Sequence, residues 1–283
     1  MLNISSAIRT AAQRLEKAGI AESRREAASL LRFAIDRDAA FLFANPEYEL
    51  TPDEADRFED TVKRREGREP YHLIIGVKEF YGLDFEVEAG VLIPRPETEI
   101  LVERAVDILA GENKPTFLEI GVGTGCIAIS ILDSVKPATA IAVDISRQAL
   151  DLATRNAERH GVSERLKLIR SDLFDAVDPK SFDMIVSNPP YVPLGELTKL
   201  QREVVDFDPP AALFAGEDGL DVIRLIAAEA PRYLVKGGYL LMEIGHGQSE
   251  SVKELFETGV WQNAEFLKDL QGIPRTVAAR KCF

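Results

Sequence analysis

The chain has 283 residues, of which 46% are hydrophobic, and carries a formal net charge of -13 at pH 7. This length is enough for two domains with separate cores, and the negative charge disfavours a broad phosphate-neutralising surface, so direct binding of nucleic acid is not expected. Cys126 and Cys282 show no metal-ligand spacing, which predicts a reduced, cytoplasmic protein without a metal site. Because no signal-peptide pattern and no membrane-spanning apolar run are present, no membrane association is expected.

Residues 1–72 predict a small all-α domain. Apolar side chains recur at helical spacing in the first part of this region, with Ser5 or Ser6 as the predicted N-cap of the first helix. A second helix is predicted over residues 21–35. The sequence Thr51-Pro52-Asp53-Glu54 is typical of a capped helix start with proline at its first position. Almost no strand pattern interrupts these helices.

Residues 73–92 predict a β-hairpin that links this domain to the rest of the chain. Strand-forming side chains are frequent here, and Gly76 and Gly82 lie among them. The sequence Ile93-Pro94-Arg95-Pro96-Glu97-Thr98-Glu99 then predicts a stiff elbow, because its two prolines restrict the backbone. This elbow should lead into a helix over residues 97–110. The alternative is that the prolines mark a plain linker.

Residues 93–283 predict a second domain of the α/β class with a Rossmann-like fold. Strands and helices alternate along it, which is the pattern of a doubly wound sheet. Two final strands, at 261–267 and 275–280, are expected to form an antiparallel pair. The strands predicted before this pair cover 116–120, 138–144, 166–170, 182–187 and 239–244, and the predicted helices cover 126–132, 147–160 and 220–234.

The turn after the first predicted strand of this domain has the composition of a ligand-binding loop. It reads Glu119-Ile120-Gly121-Val122-Gly123-Thr124-Gly125. Glycines let the backbone approach a ligand closely and expose N–H groups at the start of a helix. The dinucleotide pattern would require glycine at position 126, where Cys126 stands. The turn therefore suits a ligand without a pyrophosphate, and Glu119 would repel phosphates but attract an ammonium group.

An acidic residue ends the next predicted strand, and another follows the strand after it. Asp144 is placed where a carboxylate can accept hydrogen bonds from both ribose hydroxyls. Asp172 is placed to accept from an adenine amino group, with Leu173 against the ring. A ligand with adenine, ribose and a charged amino-acid end is S-adenosylmethionine. Each residue alone also fits a tight turn or a helix cap, but the set at successive strand ends predicts a site for this cofactor.

The sequence Asn188-Pro189-Pro190-Tyr191 ends the fourth predicted strand. Two consecutive prolines keep the backbone extended and stiff, so the Asn188 side chain and the Pro189 carbonyl should have fixed positions. These two oxygens can accept both hydrogens of a substrate amide or aromatic amine, which favours a localised lone pair on its nitrogen. Tyr191 would pack against the flat group. The alternative is a tight turn in which proline ends a strand and asparagine caps it.

Together these residues resemble the HemK/PrmC family, whose members methylate the glutamine of the Gly-Gly-Gln motif in class I peptide-chain release factors. The resemblance implies a helical N-terminal domain that recognises the protein substrate, a hairpin linker and a Rossmann-like methyltransferase domain that converts S-adenosylmethionine to S-adenosylhomocysteine. The matching segments are Tyr81-Gly82-Leu83-Asp84-Phe85, Val91-Leu92-Ile93-Pro94-Arg95-Pro96-Glu97-Thr98-Glu99, the glycine turn, Asn188-Pro189-Pro190-Tyr191, Asp218-Gly219-Leu220 and Glu243-Ile244-Gly245.

The resemblance also implies roles for individual residues. It implies that Asn188, Pro189, Pro190 and Tyr191 hold the glutamine amide, with Asn188, Pro189 and Tyr191 as the catalytic residues. Glu119 stands where aspartate is frequent in the family, and Leu173 stands where an aromatic residue is common. The residues implied to line the cofactor are Gly121, Gly123, Gly125, Asp144, Leu173 and Asn188.

The expected reaction is an in-line displacement in which positioning carries much of the catalysis, because the sulfonium is already an activated electrophile. No strong general base is expected, because an amide nitrogen that has gained a methyl group is acidic enough to lose a proton to water. The alternative function is an adenine-N6 or rRNA guanine methyltransferase, since such enzymes also carry Asn-Pro-Pro-Tyr. A non-catalytic adenosine-ligand-binding protein and a nicotinamide-dependent oxidoreductase are further alternatives, and Cys126 disfavours the second of these. The protein is expected to act as a monomer on release factors.

Overall fold

A computed structural model describes residues 2–179 and 181–283 of the chain. By its internal contacts the chain divides into two units. The first unit includes a short segment, Gln201–Phe207, that lies far along the sequence from the rest of that unit. The domain boundaries expected from the sequence, after residues 72 and 92, stay a prediction. The first unit comprises Met1–Val77 and Gln201–Phe207, and the second comprises Lys78–Leu200 and Asp208–Phe283.

The first unit is built from helices. The predicted N-cap of its first helix, Ser5 or Ser6, is wrong. Asn3 caps this helix, because its side chain accepts a hydrogen bond from the Ser6 backbone while the Ser6 hydroxyl accepts one from the Asn3 backbone. The predicted cap of the fourth helix is confirmed, with Thr51 and Glu54 forming the same reciprocal pair. The helices are α1 (Ile4–Lys17), α2 (Ser23–Ile35), α3 (Ala39–Ala44), α4 (Pro52–Glu66), α5 (Tyr71–Ile75) and α9 (Arg202–Phe207).

These helices bury an apolar core and a charged cluster. Leu30 and Leu31 are fully buried in the core, and burying a side chain of this size stabilises the fold by roughly 2 kcal/mol. Arg65 is also buried, and its guanidinium group lies 2.5 Å from a Glu26 carboxylate oxygen and 3.3 Å from one of Glu203. Because Glu203 lies on α9, this ion pair joins a distant segment of sequence to the helical unit.

The hairpin is shorter than the predicted span of 73–92. Its strands are β1 (Val77–Phe80) and β2 (Leu83–Glu86), whereas residues 73–75 lie in α5. The helix ends at Gly76, whose left-handed conformation (φ 74°) suits glycine. A strand therefore begins only after this glycine has ended the helix.

The hairpin is anchored in the second unit by aromatic packing and by one buried asparagine. Phe80 and Phe85 are fully buried and meet edge to face, with ring centroids 6.1 Å apart. Asn156, also fully buried, accepts a hydrogen bond from the Glu86 N–H at 2.8 Å and donates to the Glu86 carbonyl at 3.1 Å. It donates as well to the Thr124 carbonyl at 2.9 Å. This side chain therefore connects the hairpin to the predicted ligand-binding turn.

The second unit is a Rossmann-like α/β domain, as the sequence predicts. Its strands are β3 (Thr116–Ile120), β4 (Thr139–Asp144), β5 (Leu166–Arg170), β6 (Phe182–Ser187), β7 (Leu234–Glu243), β8 (Trp261–Lys268) and β9 (Pro274–Lys281). They are ordered β5-β4-β3-β6-β7-β9-β8, and β9 runs antiparallel to β7 and β8, whereas the other pairs are parallel. The strand order turns back between β3 and β6, which is where open α/β sheets bind ligands.

Helices flank this sheet. The predicted helix over 220–234 is too long, because Pro231 follows in a short 3₁₀ turn and β7 already begins at Leu234. Every helix in the described part of the chain is too short or too polar to cross a membrane. The α-helices are α6 (Glu99–Leu109), α7 (Cys126–Ser134), α8 (Arg147–Arg159), α10 (Asp221–Glu229) and α11 (Ser249–Leu255), and the 3₁₀ helices are Pro96–Thr98, Ser163–Arg165, Leu194–Lys199, Pro210–Ala212 and Ala230–Arg232.

We predict that Asn156→Leu lowers the free energy of unfolding by roughly 3 kcal/mol or more, because one N–H and two carbonyl groups lose their buried partner. The matched control is Arg155→Leu on the same helix, whose ion pairs with Glu86 and Glu88 are partly exposed. This control should cost less than about 1 kcal/mol. Chemical denaturation at constant pH measures both values. Equal losses in the two variants would contradict the role of Asn156.

Candidate active site

The carboxyl ends of three parallel strands meet at one edge of the sheet. Ile120 at the end of β3 pairs with Val143 of β4 on one side and with Ser187 of β6 on the other. A cavity of about 450 Å³ opens at this edge, and this volume is typical of small-molecule sites. Gly125 and Tyr191 are predicted site residues that do not line the cavity. The predicted residues that line it are Glu119, Gly121, Val122, Gly123, Thr124, Asp144, Asp172, Leu173, Asn188, Pro189 and Pro190.

The glycine turn after β3 is fastened to the neighbouring strand. The N–H groups of Gly121 and Val122 both donate to the Val143 carbonyl, at 2.9 and 3.0 Å. Gly125 has a different task, since a Cβ at this position would lie 2.8 Å from the Ile129 side chain and φ is 83°. The first glycine therefore shapes the cavity wall, whereas the last lets α7 pack closely behind it.

Glu119 is a buried carboxylate with one oxygen left without a partner. Its side chain is 0% exposed, and Oε2 accepts a hydrogen bond from the Ala128 N–H at 2.9 Å. Oε1 has no hydrogen-bond partner among the residues that the structure describes. Burial raises the pKa of Glu119 well above its usual range, and nearby Asp144 raises it further. An unpaired buried oxygen in a cavity wall is suited to a donor on a ligand.

Asp144 ends β4 with its carboxylate at the cavity. One oxygen accepts from the Gly123 N–H at 3.0 Å and the other from the Ser146 N–H at 2.8 Å. Burial raises the pKa of Asp144, while these backbone hydrogen bonds oppose the rise. Each oxygen keeps a second acceptor position. The carboxylate is therefore held in place and can still accept hydrogen bonds from a ligand.

The loop after β5 brings Asp172 and Leu173 to the cavity. Leu173 has a φ of 44°, which is uncommon for a residue with a side chain. The Ser171 hydroxyl donates to the Leu173 carbonyl at 3.0 Å and accepts from the Ala176 N–H at 2.9 Å. One serine thus holds the loop in this conformation.

Asn188 follows β6 directly and lies beside the glycine turn. The buried Ser187 hydroxyl donates to the Ile120 carbonyl at 2.8 Å and so joins the ends of β6 and β3. A Cβ built on Gly121 would lie 4.0 Å from the Asn188 backbone oxygen, so both segments share one cavity. The Asn188 Nδ2 donates to the Thr98 hydroxyl oxygen at 3.1 Å. The side-chain oxygen of Asn188 therefore points away from Thr98.

Tyr191 lies outside the cavity wall and contacts Glu243 at the end of β7. Its hydroxyl donates to Glu243 Oε1 at 3.1 Å, and the Thr98 hydroxyl donates to Glu243 Oε2 at 2.5 Å. Burial raises the pKa of Tyr191, and the Glu243 carboxylate raises it further. The predicted packing of Tyr191 against a flat substrate group stays a prediction.

Comparison with known proteins identifies the family. Residues 6–76 match the PrmC N-terminal domain, and residues 97–206 match the methyltransferase small domain. A release factor glutamine methyltransferase of Koribacter versatilis (strain Ellin345) is 42% identical over 281 residues, which cover 99% of each chain. One from Geobacter sulfurreducens is also 42% identical and covers 94% of this chain and 92% of its own. The chain belongs to the release factor glutamine methyltransferase family.

Membership in this family confirms the resemblance that the sequence motifs indicate. The fold agrees as well. A crystal structure of a methyltransferase from Pyrococcus furiosus superposes with a TM-score of 0.56 and 19% identity, covering 78% of this chain and 100% of that chain. At this identity the superposition supports the fold alone.

Sequence reasoning missed several residues of the site in this family member. Thr98 and Glu243 lie in motifs that carry the resemblance, but no individual role is predicted for them from the sequence. Arg95 lines the cavity and forms an ion pair with Asp208, whose carboxylate is buried. Glu243 could have been predicted as a site residue, because it is an acidic residue at the end of a buried strand, as Asp144 is.

Glu243 is an ionisable residue that is almost completely buried. Only 1% of the residue is exposed, and burial raises its pKa from 4.5 to about 7. The hydrogen bonds from Thr98 and Tyr191 oppose this rise, as does the charge of Arg275, whereas the charge of Glu97 adds to it. The Glu243 carboxyl group therefore binds a proton more readily than an exposed glutamate does.

We predict that pH changes the stability of the protein relative to its Glu243→Gln variant. Because the folded pKa lies above the ordinary value, folding favours the protonated form of Glu243. The resulting stabilisation is complete below about pH 4.5 and is lost as pH rises through about 7. The wild-type free energy of unfolding minus that of the variant should therefore fall by roughly 3 kcal/mol across this window. Denaturation at a series of pH values measures this difference, and a constant difference would contradict the assignment.

Proposed function

We propose that this protein transfers a methyl group from S-adenosylmethionine to the side-chain amide nitrogen of the glutamine in the Gly-Gly-Gln motif of class I release factors. The observation that carries the proposal is the position of Asn188, whose amide lies at the cavity edge beside the glycine turn in a member of this family. An amide acceptor next to a cofactor-sized cavity is what methylation of a carboxamide requires.

The residues at the cavity fit S-adenosylmethionine. The unpaired oxygen of Glu119 would accept from the ammonium group, whose charge would offset the burial that raises the pKa of this acid. The Asp144 carboxylate would accept from the ribose hydroxyls, and Asp172 and Leu173 would contact the adenine. When bound, the cofactor supplies a methyl group on a positively charged sulfur and leaves as S-adenosylhomocysteine. The backbone of the turn from Gly121 to Thr124 would surround its amino-acid end.

The residues of this protein contribute to the reaction by holding the amide nitrogen of the substrate glutamine in position. The Asn188 side-chain oxygen and the Pro189 carbonyl would accept the two N–H hydrogens of the glutamine amide and favour a localised lone pair on its nitrogen. Pro189 and Pro190 restrict the backbone, so the Pro189 carbonyl oxygen stays in place without rearrangement. The hydrogen bond from the Asn188 Nδ2 to Thr98 holds the Asn188 side chain. The amide nitrogen would lose a proton to water after methylation, so no side chain is needed as a general base. Positioning then supplies much of the rate enhancement.

Recognition of the release factor is assigned to the helical domain predicted over residues 1–72, joined through 73–92 to the methyltransferase domain over 93–283. A single glutamine side chain offers few groups to recognise, so a further surface of the enzyme is needed for selectivity. The family's layout supports this assignment. We expect the enzyme to act as a monomer in the cytoplasm.

The direct test is mass spectrometry of a release factor incubated with the protein and S-adenosylmethionine. We expect one added methyl group, located on the glutamine of the Gly-Gly-Gln motif. A release factor with this glutamine replaced by alanine is the control and should stay unmodified. Methyl transfer to DNA or rRNA in place of the release factor would overturn the proposal, and so would the absence of any transfer.

We predict that Asn188→Ala lowers turnover by about 10²-fold or more, the scale for loss of one positioned hydrogen bond. The dissociation constant of S-adenosylhomocysteine should change little, because the other cofactor contacts remain. Asn113→Ala is the matched control, since this asparagine is exposed before β3 and should keep wild-type turnover. Initial rates with the release factor and calorimetric titration measure the two quantities. Near-normal turnover of Asn188→Ala would contradict the assigned role.

A further inference from the structure

A chain of buried hydrogen bonds lies directly behind Asn188. Its amide nitrogen donates to Thr98, and Thr98 donates to one oxygen of Glu243. Tyr191 donates to the other oxygen of the same carboxylate. Thr98 is 2% exposed and Glu243 is 1% exposed, so water does not compete for these bonds. The three partners come from the elbow before α6, from β7 and from the segment after β6.

An asparagine amide has two ends of similar shape and opposite hydrogen-bonding character. If its oxygen faces the substrate, Asn188 can accept from an NH₂ group. If the amide is turned by half a rotation, its own NH₂ group faces the substrate, and two sets of donors oppose each other. The site therefore needs a device that selects one of the two orientations.

The directions of the hydrogen bonds from Asn188 to Thr98 and from Thr98 to Glu243 select one of these orientations. An ionised carboxylate has acceptors only, so the single hydrogen of the Thr98 hydroxyl must point to Glu243. The Thr98 oxygen is then an acceptor toward Asn188 and selects the nitrogen end of the amide. Tyr191 satisfies the remaining carboxylate oxygen, which keeps Glu243 in place.

We propose that Thr98 and Glu243 are positioning residues that fix the orientation of the Asn188 amide and keep its oxygen toward the substrate nitrogen. This inference rests on the proposed function and assigns a task to two residues that do not themselves need to contact the reacting atoms.

Protonation of Glu243 would reverse the direction of the chain. A protonated carboxyl group can donate to Thr98, and the Thr98 hydrogen is then free to point to Asn188 and attract its oxygen. The pKa of Glu243 is raised to about 7 by burial. The ionisable groups that change the pKa of Glu243 are Glu97 beside Thr98, Tyr191 after β6 and Arg275 on β9. The charge of Glu243 in turn raises the pKa of the Cys126 thiol at the start of α7. Turnover should therefore fall as pH decreases through about 7.

The first test compares Thr98→Val with Thr98→Ser. Valine has a similar shape but no hydroxyl, so turnover should fall at least tenfold, while the dissociation constant of S-adenosylhomocysteine stays within about twofold. Serine restores the hydroxyl and should restore most of the turnover. Thr154→Val on the exposed face of α8 is the control for loss of a threonine hydroxyl and should leave turnover unchanged. Equal turnover of Thr98→Val and wild type would overturn the inference.

The second test is the pH profile of turnover and remains available if Thr98→Val does not fold. Glutamine at position 243 can accept from Thr98 with its oxygen and donate to Tyr191 with its nitrogen, but it cannot ionise. We expect the decline of turnover below about pH 7 in the wild type and its absence in Glu243→Gln. The same decline in both proteins would contradict the inference.

The two levels of the proposal fail in different ways. If the wild-type protein does not methylate the release factor, the proposed function is wrong. If the wild type methylates it and the Thr98 and Glu243 variants behave as the wild type does, only the positioning role is wrong.

Discussion

The hydrogen bond from Asn188 to Thr98 is the interaction on which the site depends. It decides which end of one amide faces the cavity, and that end decides whether the rim can accept hydrogens from a substrate NH₂ group. The two prolines that follow Asn188 restrict the backbone, but they do not fix the rotation of its side chain. Side-chain orientation has to come from a partner, and Thr98 is that partner in the structure.

Two buried acids line the same cavity and a third lies behind Thr98, and all three reduce the stability of the fold. Burial raises the pKa values of Glu119, Asp144 and Glu243. Ionised near neutral pH, each of these groups would weaken the fold, so hydrophobic residues would serve stability better. Concentration of perturbed carboxyl groups at one strand edge is typical of functional sites, where stability is exchanged for chemistry. The hydrogen bonds to Asp144 and Glu243 limit this cost without removing it.

Local pattern was enough to predict most of the fold. The strands β3 and β6 begin and end where mainly apolar runs do, because a strand buried on both faces needs such a sequence. The edge strand β5 also has its predicted bounds, although it is only partly buried. The Asn3 cap was missed because serine is an equally good capping residue by propensity. Ion pairs of Glu203 with Arg65 and Arg68 join α9 to the helical unit. No local sequence pattern predicts contacts between residues so distant in sequence.

The site likewise contains some features that local sequence predicts and others that it does not. The glycine turn and Asp144 were predictable, because each lies at the end of a strand and such ends converge in a parallel sheet. The tasks of Gly125 and Tyr191 were not, since packing against Ile129 and bonding to Glu243 exist only in the folded domain.

The most direct measurement is a crystal structure of the protein with S-adenosylhomocysteine and a release factor. The glutamine side-chain nitrogen should lie about 3 Å from both the Asn188 side-chain oxygen and the Pro189 carbonyl oxygen, as expected for hydrogen bonds. A glutamine nitrogen out of reach of these two oxygens, or one that meets the NH₂ group of Asn188, would contradict the mechanism.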